Sequence, residues 1–266
     1  FMFPMSFPEY VRIFGRVPIK TVDFRDKEEF EMAMNANRFF SKKLMELFIS
    51  YLTTGGFPLA IREYFEKKRT PVEAQKAYLD WFRNDLTRLG KNERVMKEIL
   101  SVILSARLTP LSWNEIAKET SIGSPNTARD YIELLENLMV GKILYMYYNK
   151  PLYRKNKKIH LIDPLLYTTI ARWCFTAKPQ KSVIAESIVA SHLSRKYEVG
   201  YWKNKGEIDI VVMHNGKLQG VEVKYGGKMA KSIRVGKIRE TITLTRRRYS
   251  KSPPAIPISI FLACLP

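Results

Sequence analysis

The most regular alternation of apolar and polar positions along the chain lies in residues 206–225, GEIDIVVMHNGKLQGVEVKY. An alternation with a period of two predicts strands, and the dipeptide Asn215-Gly216 between the two apolar runs predicts a tight β-hairpin turn. If these two residues form the loop, His214 faces Lys217. Each further step back along the first strand is then matched by a step forward along the second.

The same register places Asp209 opposite Glu222 and Glu207 opposite Lys224. Because side chains alternate between the two faces of a strand, these four charged residues should project from one face. The other face is apolar and consists of Ile208, Ile210, Val212, Val221 and Val223. Two carboxylates that face each other are destabilising unless a positive charge lies between them, so the pattern predicts a bound cation.

The predicted cation is Mg²⁺ or Mn²⁺, because hard cations are held by one or two carboxylates together with water and phosphate oxygens. Lys224 lies on the same predicted face as Glu222, where its ammonium group can stabilise charge on a phosphate. The pattern Asp209, then Glu222-Val223-Lys224, resembles the PD-(D/E)xK nuclease superfamily. Ile208 stands where members of that superfamily usually have proline.

The resemblance implies Mg²⁺-dependent hydrolysis of phosphodiester bonds, with a further acid from a preceding helix, and Glu186 lies in the matching position. In this hypothesis Asp209 and Glu222 are the metal ligands, and Glu186 supports the metal or its water. Lys224 stabilises the transition state, and Glu207 orients Lys224. The alternative is a chance match in which Glu207 and Lys224 form an ordinary cross-strand ion pair, or a nuclease fold that only binds.

The rest of the C-terminal region is predicted to contain strands at residues 198–203, 241–245 and 256–263, with a helix or loop over 228–239. Basic side chains lie in two of the connections: Lys231, Arg234, Lys237 and Arg239 in the first, and Arg246, Arg247 and Arg248 in the second. Beside a face that binds a metal, the three consecutive arginines predict a clamp for the phosphate backbone. Charge runs are also common in solvated loops without such a role.

Residues 91–163 carry the pattern of a winged helix-turn-helix, with helices over 92–108, 113–119 and 125–139 and strands over 142–148 and 158–162. Ser112 and Glu115 form a capping box, and Ser124 precedes the third helix. The residues predicted to contact DNA from this unit are Asn126, Thr127 and Arg129 in the third helix and Arg154, Lys155, Lys157 and Lys158 in the wing loop. Winged helices also serve as protein-interaction modules, and that alternative stays open.

The first 90 residues predict helices over 27–39, 42–52, 58–68 and 71–89. The segments MSFPEYVRIFG and TTGGFPLAIREYF resemble the lid region of archaeal STAND-like AAA+ ATPases, a family that ends in a winged helix and a PD-(D/E)xK-like domain. The resemblance implies that Gly55, Gly56 and Pro58 approach ATP in a longer parent protein. No G-x-x-x-x-G-K-[ST] motif is present in these 266 residues, so ATP hydrolysis is expected only with an ATPase core that precedes Phe1.

The charge of the chain favours a polyanionic partner, since the formal net charge is +19. Residues 1–90 contain 15 basic and 12 acidic side chains, a net of +3, which leaves 30 basic and 14 acidic side chains, a net of +16, for residues 91–266. We therefore expect DNA to contact the last two thirds of the chain, although a generally lysine-rich proteome would give the same excess. The two cysteines do not predict a disulfide framework or a zinc site, and no signal peptide or membrane span is predicted, so a cytoplasmic location is expected.

The sequence thus predicts an α+β chain of three parts: an AAA+ lid-like region at 1–90, a winged helix at 91–163 and a PD-(D/E)xK-like domain at 164–266. The predicted function is DNA binding by the second and third parts, with Mg²⁺-dependent endonuclease activity. The rival prediction is a catalytically silent module that delivers or regulates an ATPase through a protein partner.

Overall fold

The computed structural model describes residues 3–204, 206–214, 217–226, 238–251 and 254–266. Asn215, Gly216, Lys231, Arg234 and Lys237 lie outside the described residues. The side chain of Arg239 also lies outside them.

The N-terminal part of the chain is helical, as the spacing of its apolar residues predicts. Its elements are α1 (Phe7–Tyr10), a π-helical turn (Val11–Gly15), α2 (Lys27–Arg38), α3 (Ser41–Thr54), α4 (Pro58–Lys67) and α5 (Val72–Arg88). Ser6 and Glu9 form a capping box at the start of α1, and the side chain of Asp26 accepts the N–H of Glu29 at the start of α2. Pro58 occupies the first turn of α4, where a missing N–H costs nothing.

Three helices and a two-stranded antiparallel sheet follow: α6 (Glu93–Ala106), α7 (Trp113–Lys118), α8 (Pro125–Asn137), β1 (Gly141–Tyr145) and β2 (Lys157–Leu161). The predicted capping box of Ser112 and Glu115 is confirmed at the start of α7. Ser124 caps α8, as predicted. Leu111 also pairs with Lys157 through two backbone hydrogen bonds, which extends this small sheet.

The C-terminal part is a mixed sheet flanked by helices. Its elements are α9 (Pro164–Trp173), α10 (Lys181–Ser194), β3 (Val199–Lys203), β4 (Glu207–His214), β5 (Lys217–Lys224), β6 (Ile238–Thr245), β7 (Ser250–Lys251), β8 (Pro254–Pro257) and α11 (Ile258–Cys264). The strand order is β3-β4-β5-β6-β8-β7, antiparallel from β3 to β5 and parallel from β5 through β6 to β8. In its described residues the protein is therefore an α+β protein with eleven α-helices and two sheets.

The prediction of a strand over residues 256–263 is wrong, because β8 ends at Pro257 and a helix follows. Helix α11 is buried along its whole length. A short, continuously apolar run has no polar face, so periodicity cannot distinguish a buried strand from a buried helix. The helix packs against α2 and α3, and Phe261 makes edge-on ring contacts with Phe24 and Phe30 at 5.4 and 5.6 Å.

A single hydrophobic core continues across both predicted domain boundaries, after residues 90 and 163. It joins residues of α1 and α3 to residues of α6, α8, α10, β5 and α11. Among the described residues no single helix is both long and apolar enough to cross a membrane. Ser41–Thr54 and Pro58–Lys67 satisfy that test only together, as a pair bent by 110°.

The turn between α3 and α4 is locked against the start of α9. Gly55 has a φ of +60°, and a Cβ atom on it would lie 1.8 Å from Oδ1 of Asp163. The N–H of Gly56 donates to Oδ2 of Asp163 at 2.7 Å, and its carbonyl accepts the N–H of Met5 at 2.8 Å. Three distant segments therefore meet at two glycines, where any side chain would force them apart.

We expect Gly55→Ala to lower the free energy of unfolding by about 3 kcal/mol or more, since it combines an unfavourable φ with a steric clash. Gly90→Ala is the matched control, because Gly90 also has a positive φ, +64°, but has no atom within 4 Å of an added Cβ. The control should cost only about 1 kcal/mol. Urea unfolding of both variants gives the comparison, and equal losses would show that Asp163 does not constrain Gly55.

Candidate functional site

A β-bulge in β4 shapes the centre of the candidate site. Between the pairs Gly200↔Val211 and Trp202↔Ile208, β3 contributes one residue and β4 contributes two, and Asp209 is one of the two. Bulges change the direction of side chains and are frequent beside active sites. The bulge sets the direction of the Asp209 side chain independently of the regular alternation along the strand.

The hairpin register predicted from the sequence is confirmed for the described pairs from Ile210↔Val221 to the end of the strands. Asp209 lies just beyond this ladder. Its Oδ2 accepts the backbone N–H of Val223 at 2.9 Å, so the side chain of one strand binds the backbone of the other.

The prediction that Ile208 shares a face with Ile210 is wrong, and the bulge is the reason. Ile210 packs in the main core, whereas Ile208 belongs to a second apolar cluster. The other buried members of that cluster are Tyr147, Trp202, Val211, Leu218 and Ile238. Val212, Val221 and Val223 lie in the main core, as predicted.

Asp209, Glu222 and Lys224 are adjacent, as predicted. Nζ of Lys224 lies 2.8 Å from Oε2 of Glu222 and 3.9 Å from Oδ2 of Asp209. The side chain of Glu222 is only 3% exposed, and its second oxygen, Oε1, has no hydrogen-bond partner among the described residues. A buried carboxylate oxygen without a partner is costly.

A second lysine, Lys158 of β2, lies at the centre of the remaining acids. Its Nζ is 2.7 Å from Oε1 of Glu207, 3.0 Å from Oε1 of Glu186 and 3.7 Å from Oδ1 of Asp209. The Lys158 side chain is 2% exposed. Glu186 of α10 and the two acids of β4 thus share one buried ammonium group that comes from a different sheet.

The pKa values of these groups follow from burial and from the neighbouring charges. Burial, with the Asp209 carboxylate beside it, raises the pKa of Glu186 to about 7, although Lys158 opposes the change. Burial and Asp209 also raise the pKa of Glu222. Burial alone would lower the pKa of the Lys224 amine, but the carboxylates of Asp209 and Glu222 outweigh it and raise that pKa.

The arrangement does not fit a divalent cation together with Lys158. Among the described residues, no group of three or more His, Cys, Asp or Glu side chains is placed to hold a metal ion. Glu186 and Asp209, two of the three predicted metal ligands, direct oxygens at the Lys158 ammonium group instead. Mg²⁺ requires oxygens at about 2.0 to 2.1 Å in an octahedron, a space that the ammonium group fills here. This arrangement therefore supports no metal-dependent step.

The placement of Lys157 and Lys158 in an exposed wing loop is wrong, because both lie in β2 and are buried. Alternate residues of a strand face opposite sides. Lys157 accordingly places its Nζ 4.3 Å from the ring centroid of Trp113, away from the acids that surround Lys158. Neither ammonium group is exposed to a phosphate backbone in this structure.

Helix α8 presents an acidic surface around its predicted DNA-contacting residues. Asn126 and Arg129 are exposed and Thr127 is half-buried. Arg129 lies 3.6 Å from Oε1 of Glu133 and 3.7 Å from Oδ1 of Asp130. Three acids and one arginine give α8 a net charge of −2, which does not favour approach to DNA phosphates.

Besides Arg129, the exposed basic residues among the predicted DNA contacts are Arg154, Lys155, Arg246, Arg247 and Arg248. The three arginines, called the arginine edge below, directly follow β6. Lys224 pairs with Thr245 where β5 and β6 run parallel, so the arginine edge begins next to the acid–lysine site. The guanidinium carbon of Arg246 lies 5.9 Å from the ring centroid of Tyr225, the residue after Lys224.

Most of the residues predicted to contact ATP are engaged in contacts with other parts of the chain. Gly55 and Gly56 are buried against Asp163, and Pro58 is exposed. The Gly56 N–H, which a phosphate would need, already donates to Asp163. The two glycines therefore do not fit a nucleotide while Asp163 is in place.

Sequence reasoning missed the roles of Lys158 and Asp163. The signal for Lys158 was available in KKIHL, where a lysine and a histidine alternate with Ile159 and Leu161 on a strand buried on both faces. A buried lysine requires acidic partners. Asp163 precedes Pro164 at the start of α9, a pattern that indicates a helix cap but not the long-range contact with Gly56.

A protein family described as a domain of unknown function (DUF8612) matches residues 45–174, which is 130 of the 266 residues. The match runs from within α3 to the residue that follows α9, and so includes both sides of the contact between the glycines and Asp163. No curated protein and no solved structure matches the chain.

The ionisation of Asp163 generates a prediction about stability and pH. Complete burial raises the pKa of Asp163 from 3.8 to about 7, against the backbone N–H groups of Gly56 and Leu165, which lower it. Because the pKa of Asp163 is raised in the folded state, the stability that protonated Asp163 contributes is fully present below about pH 4. That stability is lost as the pH rises through about 7. Between pH 5 and pH 8 the wild type should lose on the order of 2 to 3 kcal/mol of unfolding free energy from this group.

Asp163→Asn removes the ionisation but keeps the shape of the side chain, so its unfolding free energy should fall less over the same pH range. Glu186 titrates in both proteins and cancels in the comparison. Urea unfolding at pH 5, 6, 7 and 8 measures the two profiles, and parallel profiles would contradict the assignment.

Proposed function

We propose that this chain is a DNA-binding module built on a nuclease-like fold that is catalytically silent in this conformation. In this proposal β3–β8 with α10 form the PD-(D/E)xK-like unit, and α6–α8 with β1 and β2 form the winged helix. Helices α2–α5 form the lid-like part of a longer AAA+ ATPase. The observation that carries the proposal is the arginine edge beside an acid–lysine site whose central position is filled by Lys158.

The binding part of the proposal rests on exposed charge. The three side chains of the arginine edge are exposed and make no ion pair with an acid in the described part of the chain. Consecutive arginines of this kind contact successive phosphates and release their counterions, which is the main source of affinity for DNA. Helix α8 is acidic, so in this proposal the winged helix does not read bases and is available to a protein partner.

The proposal that the module is catalytically silent rests on Lys158. Hydrolysis of a phosphodiester by this class of site needs a cation that activates water and neutralises the phosphate. The Lys158 ammonium group already forms ion pairs with Glu186, Glu207 and Asp209 at the position that such a cation would occupy, and an ammonium group does not bind and activate water as a metal ion does.

A second candidate function is Mg²⁺-dependent DNA cleavage in another conformation. The Oε1 atom of Glu222, which has no hydrogen-bond partner in the described part of the chain, and the adjacent Lys224 favour it, since a metal and a phosphate would satisfy them. In that case Lys158 has to leave the acids first.

Replacing Arg246, Arg247 and Arg248 with glutamine should weaken binding of a DNA duplex by roughly tenfold or more and reduce the slope of log affinity against log salt by about 3. The matched control replaces Arg62, Arg69 and Lys76 with glutamine, which lowers the net charge equally. These three exposed residues lie in α4, in α5 and in the connection between them, away from the sheet. Fluorescence anisotropy over a salt series measures both variants. Equal losses would mean that only net charge matters and that the arginine edge is not the binding surface.

Incubation of the wild type with plasmid and branched DNA in Mg²⁺ or Mn²⁺ should produce no more cleavage than Asp209→Ala or Lys224→Ala, because the acids are occupied by Lys158. Binding measured on the same samples ensures that the DNA is engaged. Metal-dependent cutting by the wild type that both substitutions abolish would replace this proposal with the endonuclease.

A further inference from the structure

We infer that the cavity between the β1–β2 connection and β3 binds single-stranded nucleic acid, with an unpaired base stacked on Tyr148 and a backbone phosphate on Lys155. This surface goes beyond the proposed function, because it is separate from the arginine edge. Two strands of the sheet, β4 and β5, lie between β3 and β6, which the arginine edge follows. The site also differs from the DNA contacts predicted for the wing loop, which involve basic side chains alone.

The connection between β1 and β2 combines aromatic and basic side chains and contains no acid. Its exposed aromatic and basic members are Tyr148, Lys150, Tyr153, Arg154 and Lys155. The ring of Tyr148 is 52% exposed and that of Tyr153 is 66% exposed. In the described part of the chain, none of the three basic side chains pairs with an acid. Single strands bind to this combination, because the rings stack on the faces of unpaired bases and the cations neutralise phosphates.

A cavity of about 420 Å³ lies where this connection meets β3. Small-molecule sites have volumes of roughly 300 to 1,000 Å³, so the cavity is large enough for a ligand of that class. Tyr148 and Lys155 line it from the connection, and Trp202 and Lys203 line it from β3. Lys203 also pairs with Glu207 at 3.2 Å, so Lys155 is the cation of the cavity that is available to a phosphate.

Hydrogen bonds between three segments hold the walls of the cavity. The hydroxyl group of Tyr201 donates to the carbonyl of Asn156 at 2.6 Å. The side-chain amide of Asn156 donates to the carbonyl of Pro110 at 3.2 Å. The N–H of Tyr147 donates to the carbonyl of Tyr201 at 2.7 Å. A site whose walls are already fixed loses less conformational entropy when a ligand binds.

Tyr148→Ala tests the inference in the full chain. The substitution removes an exposed ring whose hydroxyl group makes no hydrogen bond within the described residues, so the variant should fold. Its affinity for a labelled oligothymidine strand should fall by at least about fivefold, because it loses one stacking platform. Tyr148→Trp should keep the affinity, since an indole ring also stacks. Fluorescence anisotropy measures these affinities, and oligouridine measured in parallel shows whether the site takes DNA, RNA or both.

Lys155→Gln tests the phosphate contact separately. It should weaken oligothymidine binding and reduce the slope of log affinity against log salt by about 0.7, the value for one phosphate contact on a single strand. Tyr148→Ala should leave that slope unchanged, because the tyrosine carries no charge.

Two controls separate stacking from charge and from exposed aromatic surface in general. A strand of equal length in which abasic sites replace the bases keeps the phosphates, so Tyr148→Ala should not change its affinity. Phe39→Ala removes an exposed ring at the end of α2, outside the cavity, and should leave the oligothymidine affinity unchanged.

Wild-type protein that binds no oligothymidine would overturn the inference, as would unchanged affinity in Tyr148→Ala, which would leave the exposed tyrosines to a protein partner. An equal loss of affinity for the abasic strand or for a duplex would contradict it too, since the ring would then not act on unpaired bases. The variant that lacks the arginine edge should still show the effect of Tyr148 on the single strand. The two surfaces therefore succeed or fail independently.

Discussion

The ammonium group of Lys158 joins two sheets that the chain builds far apart in sequence. Moving a carboxylate out of water costs several kcal/mol unless a positive charge compensates it. Glu186, Glu207 and Asp209 obtain that compensation from β2, so neither sheet can withdraw from the other without leaving unpaired buried charges. A backbone hydrogen bond from Tyr147 to Tyr201, 2.7 Å long, links the segment after β1 to β3 and supports the same alignment.

The N-terminal and C-terminal parts of the chain are also joined, by apolar packing and by the contacts of the buried Asp163. Helix α11 fills the space between α2 and α3, and the turn at Gly55 and Gly56 leaves no room around Asp163. Since protein interiors are close-packed, a displacement at one of these contacts is transmitted to the others. Helices α2 and α3 are thus fixed relative to the sheet that carries the acids.

How far the sequence predicts this structure depends on the range of the interactions involved. The hairpin register follows from counting out from Asn215-Gly216, and the start of α7 follows from Ser112 and Glu115, because both are local rules. The bulge at Asp209 depends on pairing with β3, and the helical state of residues 258–264 depends on what surrounds an apolar run. Lys158 lies 28 residues from its first partner in sequence and 49 from its second, so no local pattern identifies that contact.

The burial of two lysines changes where a polyanion can bind. Formal charge counts Lys157 and Lys158 among the 30 basic residues of the last two thirds of the chain, yet neither charge is exposed to solvent. Helix α8 adds no net positive charge to the surface, because its exposed arginine is paired with acids of the same helix. The positive potential outside the protein comes instead from exposed groups such as the arginine edge, whose field is screened by water and salt. Attraction for a phosphate backbone is therefore expected at the end of β6, next to the acids that pair with Lys158.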